Sequence, residues 1–368
     1  MEERLEIIFQ KIEEFYGNEK FVNFETFINI LELLYDFVIS ETNEGGTGPT
    51  NTSLLPIAFN LKDFENEIYN PTNENQRWMN IENKPKILKR MYYGDLIRHY
   101  INIVGSHIQN YEYESDINSD INKSLYKWLN SLSKKFTIRI YTTNYDSIIP
   151  ALLKRNHHFC FDGFQSNVER RRSIPDVNRI CNNTDSIVYY QLHGSINWEV
   201  VDSDFEPFDF FLVRDGIPPN PKTIHESVQQ GQVLLKSNII TGYSKPQRLI
   251  QSPIYAMYSS FIHDCSRSSY ILTAGFSFSD PHLKKIIINA LCSTNTKFLN
   301  ITNENSIEEL EQLSGNGIYD DISRLLRIQI RNLESDIFGN WLIKGKRFYS
   351  YYGGFGSFLE NGAWDIIV

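Results

Sequence analysis

Cysteine is scarce. The 368-residue chain has four, Cys160, Cys181, Cys265 and Cys292, and no two of them form a C-x-x-C pair. That spacing argues against a structural zinc knuckle and leaves idle or buried thiols in a reducing compartment. Long apolar runs are also lacking. The longest, such as IIINALC at 286–292, fall far short of the ~20 residues needed to span a bilayer. The opening stretch, MEERLEIIFQKIEEF, is charged and amphipathic and has no signal-peptide core, so the expectation is a cytoplasmic protein. Positive charge is not in excess: the net charge is -9 and the pI about 5.5, which opposes nonspecific nucleic-acid binding through phosphates. There is no G-x-S-x-G elbow and no Walker loop, which speaks against a nucleophilic-serine hydrolase and against ATP chemistry.

What is present is enough to build a core, since 41% of residues are apolar and 22% are charged. Leu5, Ile8, Phe9, Ile12 and Phe15 recur at helical spacing, as do Phe24, Phe27, Ile28, Leu31, Leu34 and Tyr35. Residues 41–53 read as a loop. Helical patterns resume over 82–110 and 119–134, the latter with Trp128 as an aromatic anchor. Residues 1–135 are therefore expected to form a mostly helical module.

The texture changes at Phe136. FTIRIYTT (136–143), SIVYYQLH (186–193), SYILTAGF (269–276) and TKFLNIT (296–302) read as strands. Helical runs at 147–155 and around 250–263 lie between them. Asp280 N-caps a helix beginning PHLKKIIINALC, with proline in its first turn. A polar loop precedes the second strand, an irregular stretch covers 198–235, and a further helical segment starts at Ser306. Strands alternating with helices predict an α/β core over 136–310, a Rossmann-like doubly wound parallel sheet. Residues 311–368 are expected to hold a helix and an aromatic tail. That tail serves either as an oligomer or partner contact or as the last strand-and-turn packing of the domain.

Doubly wound sheets bind ligands beyond the carboxyl ends of their strands, and polar clusters stand there. They are Thr142-Thr143-Asn144-Tyr145-Asp146, His193-Gly194-Ser195-Ile196-Asn197-Trp198, Gly275-Phe276-Ser277-Phe278-Ser279-Asp280 and Asn303-Glu304-Asn305. Taken singly, each is an ordinary turn. Together, the TTNYD, LHGS, GFSFSDPHL and ITNEN series resembles the sirtuin-like domain family, and most closely its zinc-free bacterial antiphage-defence branch of NAD hydrolases. The resemblance covers roughly 136–305. It implies that Asn144 orients water and the nicotinamide ribose and that His193 is the catalytic base. It further implies that Thr143, Asp146, Gly194, Gly275, Ser277 and Asn303 surround the dinucleotide, with Asp146 bracing the asparagine loop. The chain differs from the family in having no strand with a Gly-Ala-Gly loop before residue 136 and no four-cysteine zinc module.

The implied reaction is cleavage of the nicotinamide–ribose bond of NAD, giving nicotinamide and ADP-ribose, with NAD as substrate and no metal. The ribose passes through an oxocarbenium-like state, as in glycoside hydrolysis, but nicotinamide leaves neutral and no general acid is required. A base with the intrinsic pKa of histidine suits neutral pH, and an asparagine can donate and accept at once. Antiphage relatives imply a NAD-depleting effector of abortive infection, restrained by homo-oligomerisation or by a partner subunit such as a HerA-type ATPase, without a membrane or direct nucleic-acid contact. Two alternatives stay open: an NAD-dependent protein deacylase, and a noncatalytic nucleotide-sensing or scaffold subunit of a defence complex. His157-His158 and Glu169-Arg170-Arg171-Arg172 read as surface loop residues rather than as ligands, and His282, in the first helical turn beside the proposed pocket, reads equally as a ligand contact or as helix-start packing.

Overall fold

The computed structural model describes residues 2–16, 24–42, 84–114, 119–156, 158–167, 172–182, 184–201, 210–214, 225–229, 232–240, 249–278, 280–306, 309, 324 and 333–366. Of the loop expected at 41–53, Glu41 and Thr42 are instead the last residues of a helix; the remainder of that loop, His157, Glu169, Arg170, Arg171, and most of the segment following Ser306 lie outside these residues.

Among the described residues, three helices come first: α1 (Glu2–Tyr16), α2 (Phe24–Thr42) and α3 (Lys84–Glu114). Their apolar residues recur every three or four positions, so one face of each is buried. Leu5, Ile8 and Ile12 of α1 meet Phe27, Ile28, Leu31 and Leu34 of α2, and Tyr93, Ile97 and Ile101 of α3. This core also takes in Tyr145, Ile196 and Ile239, which belong to the loops beyond the strands. The helices therefore pack directly against the strand-end loops, with the rings of Phe24 and Tyr145 edge to face at 6.1 Å.

Next come α4 (Asp120–Ser133), capped by the Ser119 hydroxyl, β1 (Ile138–Thr142), α5 (Ile148–Arg155), β2 (Phe164–Asn167), β3 (Arg172–Pro175), α6 (Val177–Asn182) and β4 (Ile187–Gln191). β5 (Trp198–Val201) and β6 (Phe210–Arg214) join β2 and β3 in a four-stranded antiparallel sheet of order β2-β3-β6-β5, and β7 (His225–Gln229) and β8 (Gln232–Lys236) form a hairpin. Part of the stretch read as irregular is thus strand. Its strands are only four or five residues long, too few to display a period, and one of the pairings, β3 with β6, joins segments some forty residues apart.

The chain continues through α7 (Ile254–Arg267), β9 (Tyr270–Ala274), α8 (Pro281–Ser293), β10 (Lys297–Ile301), β11 (Ser335–Phe338), β12 (Trp341–Lys344), β13 (Phe348–Tyr351) and α9 (Gly354–Glu360). β1 and β4 run parallel in the register Ile138↔Ile187 to Thr142↔Gln191. β9, β10 and β13 run parallel, and β12 and β11 extend that sheet antiparallel.

Successive side chains of these strands go to opposite faces. Val188, Tyr190 and Phe298 face a core with α7 and α8, through Met257, Phe261, Leu283 and Ile287. Ile138, Ile187, Leu299 and Ile301 face a core with α4, α5 and α9, through Trp128, Leu152, Leu153 and Phe358. Helices on both faces of parallel strands make this an α/β fold. The expectation of one continuous doubly wound sheet is met only in part. Among the described residues, β1 pairs with β4 and β9 pairs with β10, while the facing edges of β1 and β9 line a common cavity instead of pairing with each other.

The aromatic end of the chain resolves an ambiguity. Phe348, Tyr351 and Phe358 are 5%, 1% and 0% exposed, because β13 is a parallel neighbour of β10 and α9 closes the core against Trp128 and Trp341. The segment is strand-and-turn packing of the domain. Phe358→Ala is expected to cost about 3–5 kcal/mol, read as a lowered Tm in thermal denaturation. An unchanged Tm would return the segment to the role of a loose docking tail.

Candidate functional site

The site is built at the carboxyl ends of β1, β4 and β9. Beyond Thr142 the chain leaves the strand because the Thr142 hydroxyl accepts the Asn144 backbone N–H at 3.0 Å, a local turn that competes with the sheet ladder. Asn144 emerges exposed, while Tyr145 next to it is buried. Asp146 turns its carboxylate to the start of α5, where Oδ1 accepts the Ile148 N–H at 3.1 Å.

The loop after β4 is joined to this one by hydrogen bonds. The Gln191 amide donates to the carbonyl of Asp146 at 2.8 Å and to that of Asn144 at 3.4 Å. Leu192 N–H donates to the Thr142 carbonyl. The Ser195 hydroxyl donates to the Tyr145 carbonyl at 3.2 Å, and the Asn197 amide donates to the Ser147 hydroxyl at 2.6 Å. These bonds are buried or part-buried, so the two loops are held as one unit. A third segment straps over them: Ser195 N–H donates to the Asn238 carbonyl, and Ile240 N–H to the His193 carbonyl.

A cavity of about 400 Å³ lies between β1 and β9, within the range of small-molecule sites. One wall runs from Thr137 to Asn144 and includes Leu192, and the other runs from Tyr270 to Phe276. α7 and α8 close it with Phe261, Asp264, Leu283 and Ile287. Of the residues expected at the site, the structure brings Thr143, Asn144 and Gly275 together on this cavity. Gly275 has φ +62 and nothing within 4 Å of where a Cβ would stand, so it presents bare backbone to whatever enters. Ser277 and Asn303 are exposed and are not on its wall. Gly354 comes close to Asn303: a Cβ there would lie 2.9 Å from its Oδ1. His193 and Gly194 lie one step behind the wall, adjacent in the chain to the lining residue Leu192.

His193 is 3% exposed. Its Nε2 stands 3.2 Å from Oδ2 of Asp280, which is also buried. Sequence reasoning placed Asp280 only as a helix cap and missed this pairing. It also missed the polar group on the cavity floor. There the Tyr141 hydroxyl donates to Asp264 Oδ2 at 2.5 Å and contacts the Ser260 hydroxyl at 3.2 Å, and Arg139 Nε lies 3.5 Å from the same carboxylate oxygen. Burial, and after it the Asp264 charge, hold the Tyr141 phenol far above its ordinary pKa, so it stays a hydrogen-bond donor. No motif signals this group, because its members come from β1 and α7, more than a hundred residues apart.

Burial pushes the Cys160 and Cys265 thiols up to about 12, which removes them as nucleophiles near neutral pH. His158 meets the Tyr126 hydroxyl at 3.2 Å. Among the described residues no cluster of three or more His, Cys, Asp or Glu could hold a metal ion, and no helix is long and apolar enough to cross a membrane.

Parallel strands covered by helices on both faces define an α/β protein, and the cavity between β1 and β9 runs along both strands up to their carboxyl ends, where such folds bind ligands. The family model for the SIR2-like domain matches residues 138–319, a span that runs from β1 through the cavity walls, and the match supports a sirtuin-like family. No curated protein matches the chain. SIR2-like domains bind NAD, and at this level the chain is supported as an NAD-acting enzyme. The residues fit such a ligand: the cavity of about 400 Å³ lies within the range of small-molecule sites, and Gly275, with no Cβ, leaves room for close approach to the backbone.

Proposed function

We propose that the protein is an NAD hydrolase that cuts the nicotinamide–ribose bond: NAD and water give nicotinamide, ADP-ribose and a proton. The observation that carries this reading is the placement of Asn144. It stands exposed at the mouth of the cavity between β1 and β9, on a loop hydrogen-bonded to the loop that carries His193. Asn144 holds the attacking water and a ribose hydroxyl, for which its amide has both donors and an acceptor. His193 takes up the proton released as the water attacks. Gly275 and Thr143 line the path of the remaining dinucleotide.

The biological role in this reading is depletion of NAD during antiphage defence, with activity restrained by self-association or by a partner subunit such as a HerA-type ATPase. The test is to incubate purified protein with NAD and follow nicotinamide and ADP-ribose by chromatography, alone and with such a partner added. Release of both products in equal amounts is the expected result. Transfer of an acyl group from an acyl-lysine peptide would instead assign a deacylase. NAD binding with no turnover under either condition would make the domain a noncatalytic sensor.

A further inference from the structure

We infer that Asp280 is the positioning residue for His193, holding its Nε2–H so that Nδ1 is the basic nitrogen. The inference rests on the hydrolase reading for its kinetic consequence but not for its geometry.

Asp280 has two separate tasks, one for each oxygen. Oδ1 accepts the backbone N–H groups of His282 at 2.9 Å and Leu283 at 3.2 Å, capping α8. Oδ2 faces His193 Nε2 at 3.2 Å, and the two side chains are 7% and 3% exposed. A cap needs only one oxygen, and serine, threonine or asparagine supplies it equally well. The second oxygen is therefore not explained by the helix. Burying a carboxylate is costly unless donors surround it; Oδ1 has two backbone N–H groups and the positive end of the α8 dipole, and the polar group facing buried Oδ2 is the imidazole, at a separation of 3.2 Å. Tyr258 on α7 lies close as well: burial first and the Asp280 charge second hold its phenol protonated far above the ordinary value.

An imidazole whose Nε2–H is held by a carboxylate has its lone pair on the other nitrogen when neutral. When it takes up a proton, the resulting cation is stabilised by that same carboxylate. Asp280 also ends the G-F-S-F-S-D loop that begins with Gly275 on the cavity wall. The pairing thereby ties the histidine loop to the β9 side of the crevice, 87 residues further along the chain.

The test separates the cap from the pairing. Asp280→Asn and Asp280→Ser both keep a capping oxygen. In Asp280→Asn the amide that caps through Oδ1 turns its NH₂ toward His193, forcing Nε2 to accept and placing the proton on Nδ1. Nitrogen-15 NMR of histidine-labelled protein reads the tautomer directly. The expected result is Nε2–H in the natural protein and Nδ1–H in Asp280→Asn. With it, kcat for nicotinamide release falls about 10²–10⁴-fold, while KM stays within about threefold and Tm is nearly unchanged. Asp280→Ser, which keeps the cap but loses the reach, is expected to lose kcat as well. An Nδ1–H tautomer in the natural protein, or natural kcat in both variants, overturns the inference. A natural protein that releases no nicotinamide counts against the hydrolase reading alone, and the tautomer measurement then still decides the pairing.

Discussion

Asn144→Ala is expected to lower the rate of nicotinamide release by about 10²–10³-fold, the usual cost of removing one preorganised polar group from a reacting centre, with Tm changed by no more than the equivalent of about 0.5 kcal/mol. The separation of the two effects follows from position. Asn144 is exposed at the cavity mouth. The loop carrying it is held by groups other than its side chain: the Thr142 hydroxyl, the Gln191 amide and the Ser195 hydroxyl. Losing the side chain therefore leaves the turn in place. Equal rates for Asn144→Ala and the natural protein, both checked for folding by circular dichroism, would end the assignment. His193→Ala is a less clean experiment than its sequence position suggests. The ring is buried against Asp280, and deleting it leaves a carboxylate facing a void, at a cost of about 3–5 kcal/mol. Activity loss in that variant must be read beside its Tm.

Gly194→Ala is expected to be the most damaging single-methyl change in the region, costing about 2–5 kcal/mol as the sum of left-handed strain and overpacking. Its φ is +85, and a Cβ would stand 2.1 Å from the Asn238 carbonyl oxygen. Retreat of that oxygen is opposed by Ser195 N–H, which donates to it at 2.9 Å, and by Ile240 N–H, two residues on, which donates to the His193 carbonyl at 2.7 Å. The strap and the histidine loop would have to part, carrying His193 away from Asp280. Gly275→Ala is the control: its φ is +62 but the added methyl meets nothing, leaving only the backbone strain of about 1–2 kcal/mol. Thermal denaturation of the two variants compares them directly, and equal Tm values would show that the strap yields and that the close approach is not a constraint.

Much of the fold was legible because it is written at short range. The strands β1, β4, β9 and β10 lie inside the four β-branched runs read from the sequence; β4 and β10, buried at nearly every position, need apolar side chains on both faces. α8 begins where Asp280-Pro281 says it should, with the carboxylate on two backbone N–H groups. The strand-end clusters were legible for the same reason: polar residues and glycines directly after apolar strands mark the carboxyl edge of an α/β sheet. The aromatic tail was not, because FYSY at 348–351 is four residues long and its identity as a sheet strand comes from pairing with β10, some fifty residues earlier.

Taken alone, the order of residues determined the class of fold and the sites where strands end, because hydrophobic periodicity and capping act between near neighbours; Asn144 and His193 became candidates through the resemblance that the strand-end motifs carry. Only the tertiary structure decided that Asn144 faces the cavity while His193 stands buried behind it, that Asp280 serves the histidine as well as its own helix, and that β1 and β9 face each other across a cavity. Each of these depends on distances between residues far apart in the chain. Such distances are set by the packing of whole helices and strands, and no local pattern records them.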